Sequence, residues 1–367
     1  MIRSTILIIS LLSGIPGVAM SGEPPKPDSA LAADTLHNEK NELIVLPVVF
    51  YSPETGLAVG IYPALLFRVA PGCRPSSISL PVYYTTKKQF AVNLEFGITL
   101  PENRHNFSGN IYFEKWPNVF YGIGSDASAD NTDDYTSRNA GFFLGYKRRF
   151  FKSFYLGIDC LLFNREYLEY PDSGRFITGD IRGSEAGRLT APGISIVWDD
   201  RDNIIYPGKG YYAALSVGFY GDNFGGDYAF EKYAIDLRKY LTLRSPEALS
   251  AQAAAVFIDG DPPFWGMPRI GDYIRGHKPM RFIDRNLLAF QLEYRIHPIW
   301  KRFGLALFAG TGAVGDKIST FAPDYFKFAA GFGIRYLFLA GENLNIRLDF
   351  GIGGESTEIY LEAGEAF

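Results

Sequence analysis

The sequence predicts an all-β fold, a transmembrane antiparallel β-barrel of about sixteen strands. Three observations predict it. From Leu43 onward apolar residues recur at every second position, between clusters of Gly, Asn, Asp and Pro that mark turns. The segments so marked run about 9 to 15 residues, enough for a tilted strand to cross hydrocarbon, whereas strands of soluble sheets centre on about 5 to 6. Short and long connections also alternate, as they must when both ends of a barrel chain lie on one side of a membrane.

Taken in order, Met1 to Arg3 carry one positive charge, an apolar run from Thr5 to Leu12 follows, and small residues stand at Ala19 and Ser21. Residues 1–21 read as a secretory signal, too short in their apolar part to span a bilayer. Residues 22–42 read as a Pro-containing tether. The barrel occupies 43–367, with strands near 43–51, 55–69, 76–86, 88–100, 105–116, 134–149, 153–166, 188–199, 208–220, 228–242, 249–258, 286–297, 302–313, 326–338, 343–352 and 356–366. Connections after even-numbered strands are short, as at Phe150 to Lys152 and Leu339 to Glu342. Most long ones, 117–133, 167–187, 259–285 and 314–325, follow odd-numbered strands.

Each strand has an apolar face and a small or charged one. Phe328, Phe332, Ile334 and Tyr336 alternate with Ala329, Gly331, Gly333 and Arg335. Leu288, Phe290, Leu292 and Tyr294 alternate with Gln291, Glu293 and Arg295, and Leu344, Ile346 and Leu348 with Asn345, Arg347 and Asp349. A soluble sandwich also alternates, but aromatic pairs near strand ends (Tyr83 and Tyr84, Tyr211 and Tyr212) suit interfacial girdles. In a barrel the charged set, Asp236, Arg238, Glu293, Arg295, Arg335, Arg347 and Asp349, faces the lumen and avoids hydrocarbon. Closure pairs every backbone donor and acceptor that lipid could not satisfy.

Other functions are disfavoured by composition. Aromatics reach 16 % and charged residues only 21 %, which excludes disorder, and a net charge of -4 leaves no surplus to neutralise nucleic-acid phosphates. Two cysteines, Cys73 and Cys160, cannot build a disulfide framework, and four scattered histidines lack metal-ligand spacing. Gly310-Thr311-Gly312-Ala313-Val314-Gly315 fits the spacing of a dinucleotide loop, but no helix opens after it. Neither an enzyme nor a cofactor is expected.

Five motifs carry a family resemblance. The long connection 259–285 contains Arg269-Ile270-Gly271-Asp272-Tyr273-Ile274-Arg275-Gly276-His277. It resembles the sixth-loop signature of the BamA/TamA outer-membrane assembly superfamily, a Val/Ile-Arg-Gly-Phe/Tyr tetrad. Asp199-Asp200-Arg201-Asp202 through Pro207-Gly208-Lys209-Gly210 resembles that family's D-x-R-D...P-x-x-G turn, Leu292-Glu293-Tyr294-Arg295 its strand after the loop, and Gly331-Phe332-Gly333-Ile334-Arg335 its G-x-G-x-R strand. Gly364-Glu365-Ala366-Phe367 resembles its closing G-x-x-aromatic assembly signal, with Glu365 at a position usually apolar.

The resemblance implies that the loop enters the lumen and that Arg275 meets Glu293 on the wall. The family's next strand carries F-x-D-x-G. Here it reads Phe308-Ala309-Gly310-Thr311-Gly312, so Glu293 acts alone or is joined by Asp349 or Asp236. The resemblance further implies a bacterial outer-membrane protein that takes part in assembly, insertion or translocation of unfolded outer-membrane or secreted clients. Its partners would be outer-membrane lipid and those clients, and the cell's own barrel-insertion machinery would assemble it. The family's periplasmic POTRA modules have no room between the signal and the first strand. Strands 1 and 16 would meet in a weak seam, to which Pro47 contributes by removing a ladder donor. A passive channel and a surface-interaction barrel are the alternatives.

Overall fold

The computed structural model describes residues 6–8, 41–52, 56–130, 132–170, 174, 176 and 181–367. The expected signal and tether, apart from these few positions, lie outside the described residues. The rest is one antiparallel sheet with short 3-10 turns in its connections.

The first strands are β1 (Glu42–Ser52), β2 (Gly56–Phe67), β3 in two pieces (Ser76–Ser79 and Val82–Thr85), β4 (Phe90–Thr99), β5 (His105–Phe120), β6 (Asp133–Arg149) and β7 (Phe154–Glu169). They are followed by β8 (Gly187–Asp199), β9 (Gly210–Tyr220), β10 (Phe230–Arg244), β11 (Glu247–Gly260) and β12 (Asn286–Trp300). The last are β13 (Phe303–Gly315), β14 (Lys327–Leu339), β15 (Leu344–Gly353) and β16 (Thr357–Ala363). Each pairs antiparallel with the next, and the two pieces of β3 both lie between β2 and β4. The interruption falls at Leu80 and Pro81, where proline has no donor for the ladder. A short segment, Ile6–Ile8, lies parallel along β16.

The expected strands are recovered one for one, with differences at their ends. Strands run further into the long connections, which shrink to 121–132, 170–186, 261–285 and 316–326. The last strand stops at Ala363 rather than 366, because Gly364 turns the chain out of the wall with φ +88°.

The sheet curls on itself. Arg68, after β2, bonds Glu342 between β14 and β15 at 2.6 Å, which brings the first hairpins against the last. The alternation then sorts residues to two sides: Phe328 is 70 % exposed to what would be lipid, while Arg335 on the same strand is 0 % exposed. At the long-loop end the interior is filled by Phe120, Tyr135, Tyr167, Phe176, Phe264 and Trp265, whose rings stack edge and face. Deeper in, Ile270, Ile274 and Phe282 of the 261–285 loop pack on Val256, Leu287 and Val314 of the wall.

Candidate functional site: the loop seat in the lumen

The loop 261–285 is held by its own short turns before it reaches the wall. Ile270–Asp272 forms a 3-10 turn, Ile274 N–H donates to Ile270 O at 2.9 Å, and Arg269 pairs with Asp272 at 3.0 Å. This presents Arg275 and Gly276 at the tip.

The tip meets a wall shaped to receive it. A Cβ on Gly310 would come within 3.0 Å of Ile274 Cδ1, and one on Gly312 within 3.0 Å of Ile270 Cγ2, so the Gly-Thr-Gly of β13 clears space for the loop's two isoleucines. Gly276 has φ +107° and lies backbone to backbone on β15: a Cβ there would stand 3.0 Å from Gly353 N and Ile352 C. Glycine alone tolerates both the left-handed angle and that approach.

Arg275 then reaches two carboxylates. Its Nη2 donates to Glu293 on β12 and its Nη1 to Asp349 on β15 at 2.5 Å, and its guanidinium lies over the Phe308 ring at 3.6 Å. Glu293 and Asp349 are wholly buried, so each needs further cations. Arg295 Nε donates to Glu293 at 2.5 Å, Arg335 Nη1 donates to Asp349, and Arg347 Nη1 donates to Asp349 at 2.6 Å. Arg335 Nε reaches Glu365 at 2.9 Å, and Arg347 also pairs with Glu362. Four arginines thus face four carboxylates.

The tip also grips the last hairpin. Gly276 N–H donates to the Tyr360 hydroxyl of β16 at 2.9 Å, and Ser356 Oγ donates to Gly276 O at 2.7 Å. Arg281 forms a two-point pair with Glu355 in the same hairpin turn, at 2.6 and 3.0 Å. His277 beside the tip is buried, and burial holds its imidazole below the ordinary value.

A second constellation lies in the connection 200–209 at the short-turn end. Arg201 pairs with Asp199 by two parallel bonds, 2.9 and 2.8 Å, and lies 4.8 Å over the Tyr212 ring. Asp202 Oδ1 accepts from the N–H groups of Asn203, Gly208 and Lys209 at 2.8 to 3.0 Å, while Asp200 Oδ1 accepts from Tyr211 N–H. Gly210 has φ +115° and lies where a Cβ would meet Asp200 O at 2.6 Å. Pro207 O receives a long bond of 3.5 Å from Arg295, so this turn touches the same network.

A family model described as the Omp85 superfamily domain matches residues 74–367. The chain belongs to the Omp85 superfamily. Among solved structures it is similar to BamA from Haemophilus ducreyi lacking POTRA domains 1-3, with 12 % identity, 88 % of this chain and 69 % of that chain covered, and a TM-score of 0.55. It is also similar to CdiB from Acinetobacter baumannii, with 9 % identity, 86 % and 62 % covered, and a TM-score of 0.49. No curated protein matches the sequence.

In this Omp85 chain the acid missing from β13 is supplied by Asp349. Asp236 has other duties: Arg238 Nε donates to both its oxygens at 3.0 Å, and Gln252 donates to Oδ1 at 2.8 Å. Glu365, the departure from an apolar position, is in the network, accepting from Arg335 and from Asn345 Nδ2 at 2.9 Å. Phe367 lies in the lumen rather than at the end of a wall strand, its backbone oxygen 3.1 Å from Arg295 Nη2. Sequence reasoning missed Tyr360, Glu362 and Glu365 as members of the site. The charge at position 365 was the one signal available for them.

Proposed function

We propose that the protein resides in the bacterial outer membrane and takes part in assembly, insertion or translocation of outer-membrane or secreted proteins. One observation carries the reading: the seated loop tip holds the final hairpin, β15 and β16, through Arg275, Gly276, Arg281 and Tyr360. β16 has only seven residues, its outer side pairs with just Ile6–Ile8, and the chain leaves it at Gly364, so little ladder opposes a change at that edge. An edge strand is where an incoming strand can add by main-chain hydrogen bonds. A loop that braces this hairpin from inside keeps the edge in place while a client pairs with it.

The channel alternative has no supporting observation, because the loops fill the long-loop half of the lumen. The experiment is the folding rate of an unfolded outer-membrane barrel added to liposomes containing this protein, against empty liposomes and against Arg275→Ala. Acceleration that falls in the variant is expected. Equal rates with and without the wild-type protein would overturn the reading.

A further inference from the structure

The connection between β2 and β3 contains a buried cation with no acceptor. Arg74 is 2 % exposed, yet Nε, Nη1 and Nη2 all lack a hydrogen-bond partner. Its backbone is fixed: Arg74 N–H donates to Asn103 Oδ1 at 2.8 Å, and Arg68 Nη1 donates to Cys73 O at 2.6 Å. These bonds fix where the side chain starts, and from there it runs into the interior.

The surroundings compensate this charge only in part: Tyr155 and Asp199 favour it, and Arg201 and Arg149 oppose it. Arg74 interacts electrostatically with Tyr155, Asp199, Arg201 and Arg149, and Lys147 with Asp159, Asp199 and Arg201. Four cations share two carboxylates. Arg201 engages both Asp199 oxygens, and Arg149 Nη2 is spent on Glu102 O at 2.6 Å. An uncompensated buried charge is costly, and burial accordingly pushes the Arg74 guanidinium down to about 9. A cavity of about 460 Å³ begins at the next residue, Pro75, and is lined further by Lys147 and Arg201.

We propose that the short-turn end of the barrel contains an anion site, with Arg74 as its principal donor and Lys147, Arg149 and Arg201 around it, that takes a phosphate-type oxyanion. A guanidinium fork pairs with two oxygens of such a group, and the surplus positive charge would be neutralised by it. Phosphate monoanion or dianion and the phosphodiester of a lipid headgroup share this chemistry.

The test compares wild type with Arg74→Met, which replaces the unpaired charge by an apolar chain of similar length. Unfolding midpoints are read from the boiled-against-unboiled gel shift in neutral detergent, with inorganic phosphate against chloride at matched ionic strength. A parallel arm uses nanodiscs of phosphatidylglycerol against a phosphate-free galactolipid. Wild type is expected to gain several degrees with the anion and Arg74→Met none, because only a folded-state ligand site shifts the midpoint this way. Response to phosphate assigns a soluble anion, and response confined to phosphatidylglycerol assigns a headgroup. Equal shifts in both proteins, or no shift in wild type in either arm, would overturn the proposal. If Arg74→Met does not fold, calorimetric titration of inorganic phosphate and of a short-chain phosphatidylglycerol into wild type decides, with saturable one-to-one binding of either supporting the site and its absence rejecting it.

Discussion

Arg275 is stable inside the barrel because each of its two partners is itself overdetermined. Glu293 takes a bond from Arg295 and Asp349 takes bonds from Arg335 and Arg347, so each acid keeps a bonded cation when Arg275 is removed. Removing Arg275 therefore spares the wall and strips the loop of its anchor. Arg275→Ala is expected to weaken loop seating by about 3 kcal/mol, the lower part of the range for breaking a buried pair. It would show as faster proteolytic cleavage within 261–285 with the barrel's gel shift retained. Arg275→Lys keeps the charge but not the fork, so it should recover only part of the protection. His277 adds a pH dependence of defined sign. Burial lowers its pKa in the seated loop, outweighing the Lys327 carbonyl and Glu355, which pull upward. Above the ordinary value of 6.5 both seated and released forms are neutral, and seating is at full strength. As pH falls below that value the released imidazole takes the proton first, so seating weakens with acidification. Cleavage in 261–285 should accelerate between about pH 7 and pH 5 in wild type, and His277→Phe should flatten that rise. An unchanged slope in the variant would assign the effect to another group.

At the scale of elements, the loop tip and the last hairpin act as one unit. Gly276→Ala puts a methyl group against β15 at a left-handed backbone angle, at a cost of about 1 to 2 kcal/mol before any clash. Tyr360→Phe removes the acceptor of Gly276 N–H and should cost about 1 kcal/mol. If the tip braces β16, both changes raise hydrogen exchange in Thr357–Ala363 as well as in the loop. Exchange confined to the loop would separate the two. The strands themselves were legible because period-two alternation is local: Leu292, Glu293, Tyr294 and Arg295 announce their faces with no knowledge of their neighbours. The pairing of Arg275 was legible only halfway. Asp236 and Asp349 sit identically in their own strands, both inward, and only their positions around the barrel decide which meets the loop. That angle depends on strand tilt and register, which alternation does not encode. The break at Leu80 and Pro81 and the exit at Gly364 likewise depend on what the neighbouring strand and the lumen demand. Glu365 stood out against an apolar expectation because, once the chain turns inward at Gly364, it meets Arg335 of β14 and Asn345 of β15 in the lumen.

The whole molecule joins a closed-off interior to an adjustable edge, and the two have opposite consequences for transport. A barrel of about sixteen strands has a lumen wide enough for water and small solutes when nothing fills it. Here the aromatic cluster of Phe120, Tyr135, Phe176 and Phe264 occupies the long-loop end, and Ile270, Ile274 and Phe282 fill the level below. A cavity of about 460 Å³ lies at the short-turn end, bordered by Ile204, Pro207 and Phe367. The long-loop opening is thus obstructed by a loop held at its tip by charge and hydrogen bonds that single substitutions remove. Purified wild-type protein in a planar bilayer should give little steady conductance, with brief openings at most. Arg275→Ala should raise the open fraction severalfold, because a seating cost of about 3 kcal/mol multiplies the released population by roughly a hundred before the aromatic packing limits it. A large, stable conductance in wild type would contradict the filled lumen and move the function to a channel. Low conductance in both proteins would mean that the aromatic cluster alone closes the barrel, leaving Arg275 to serve the hairpin.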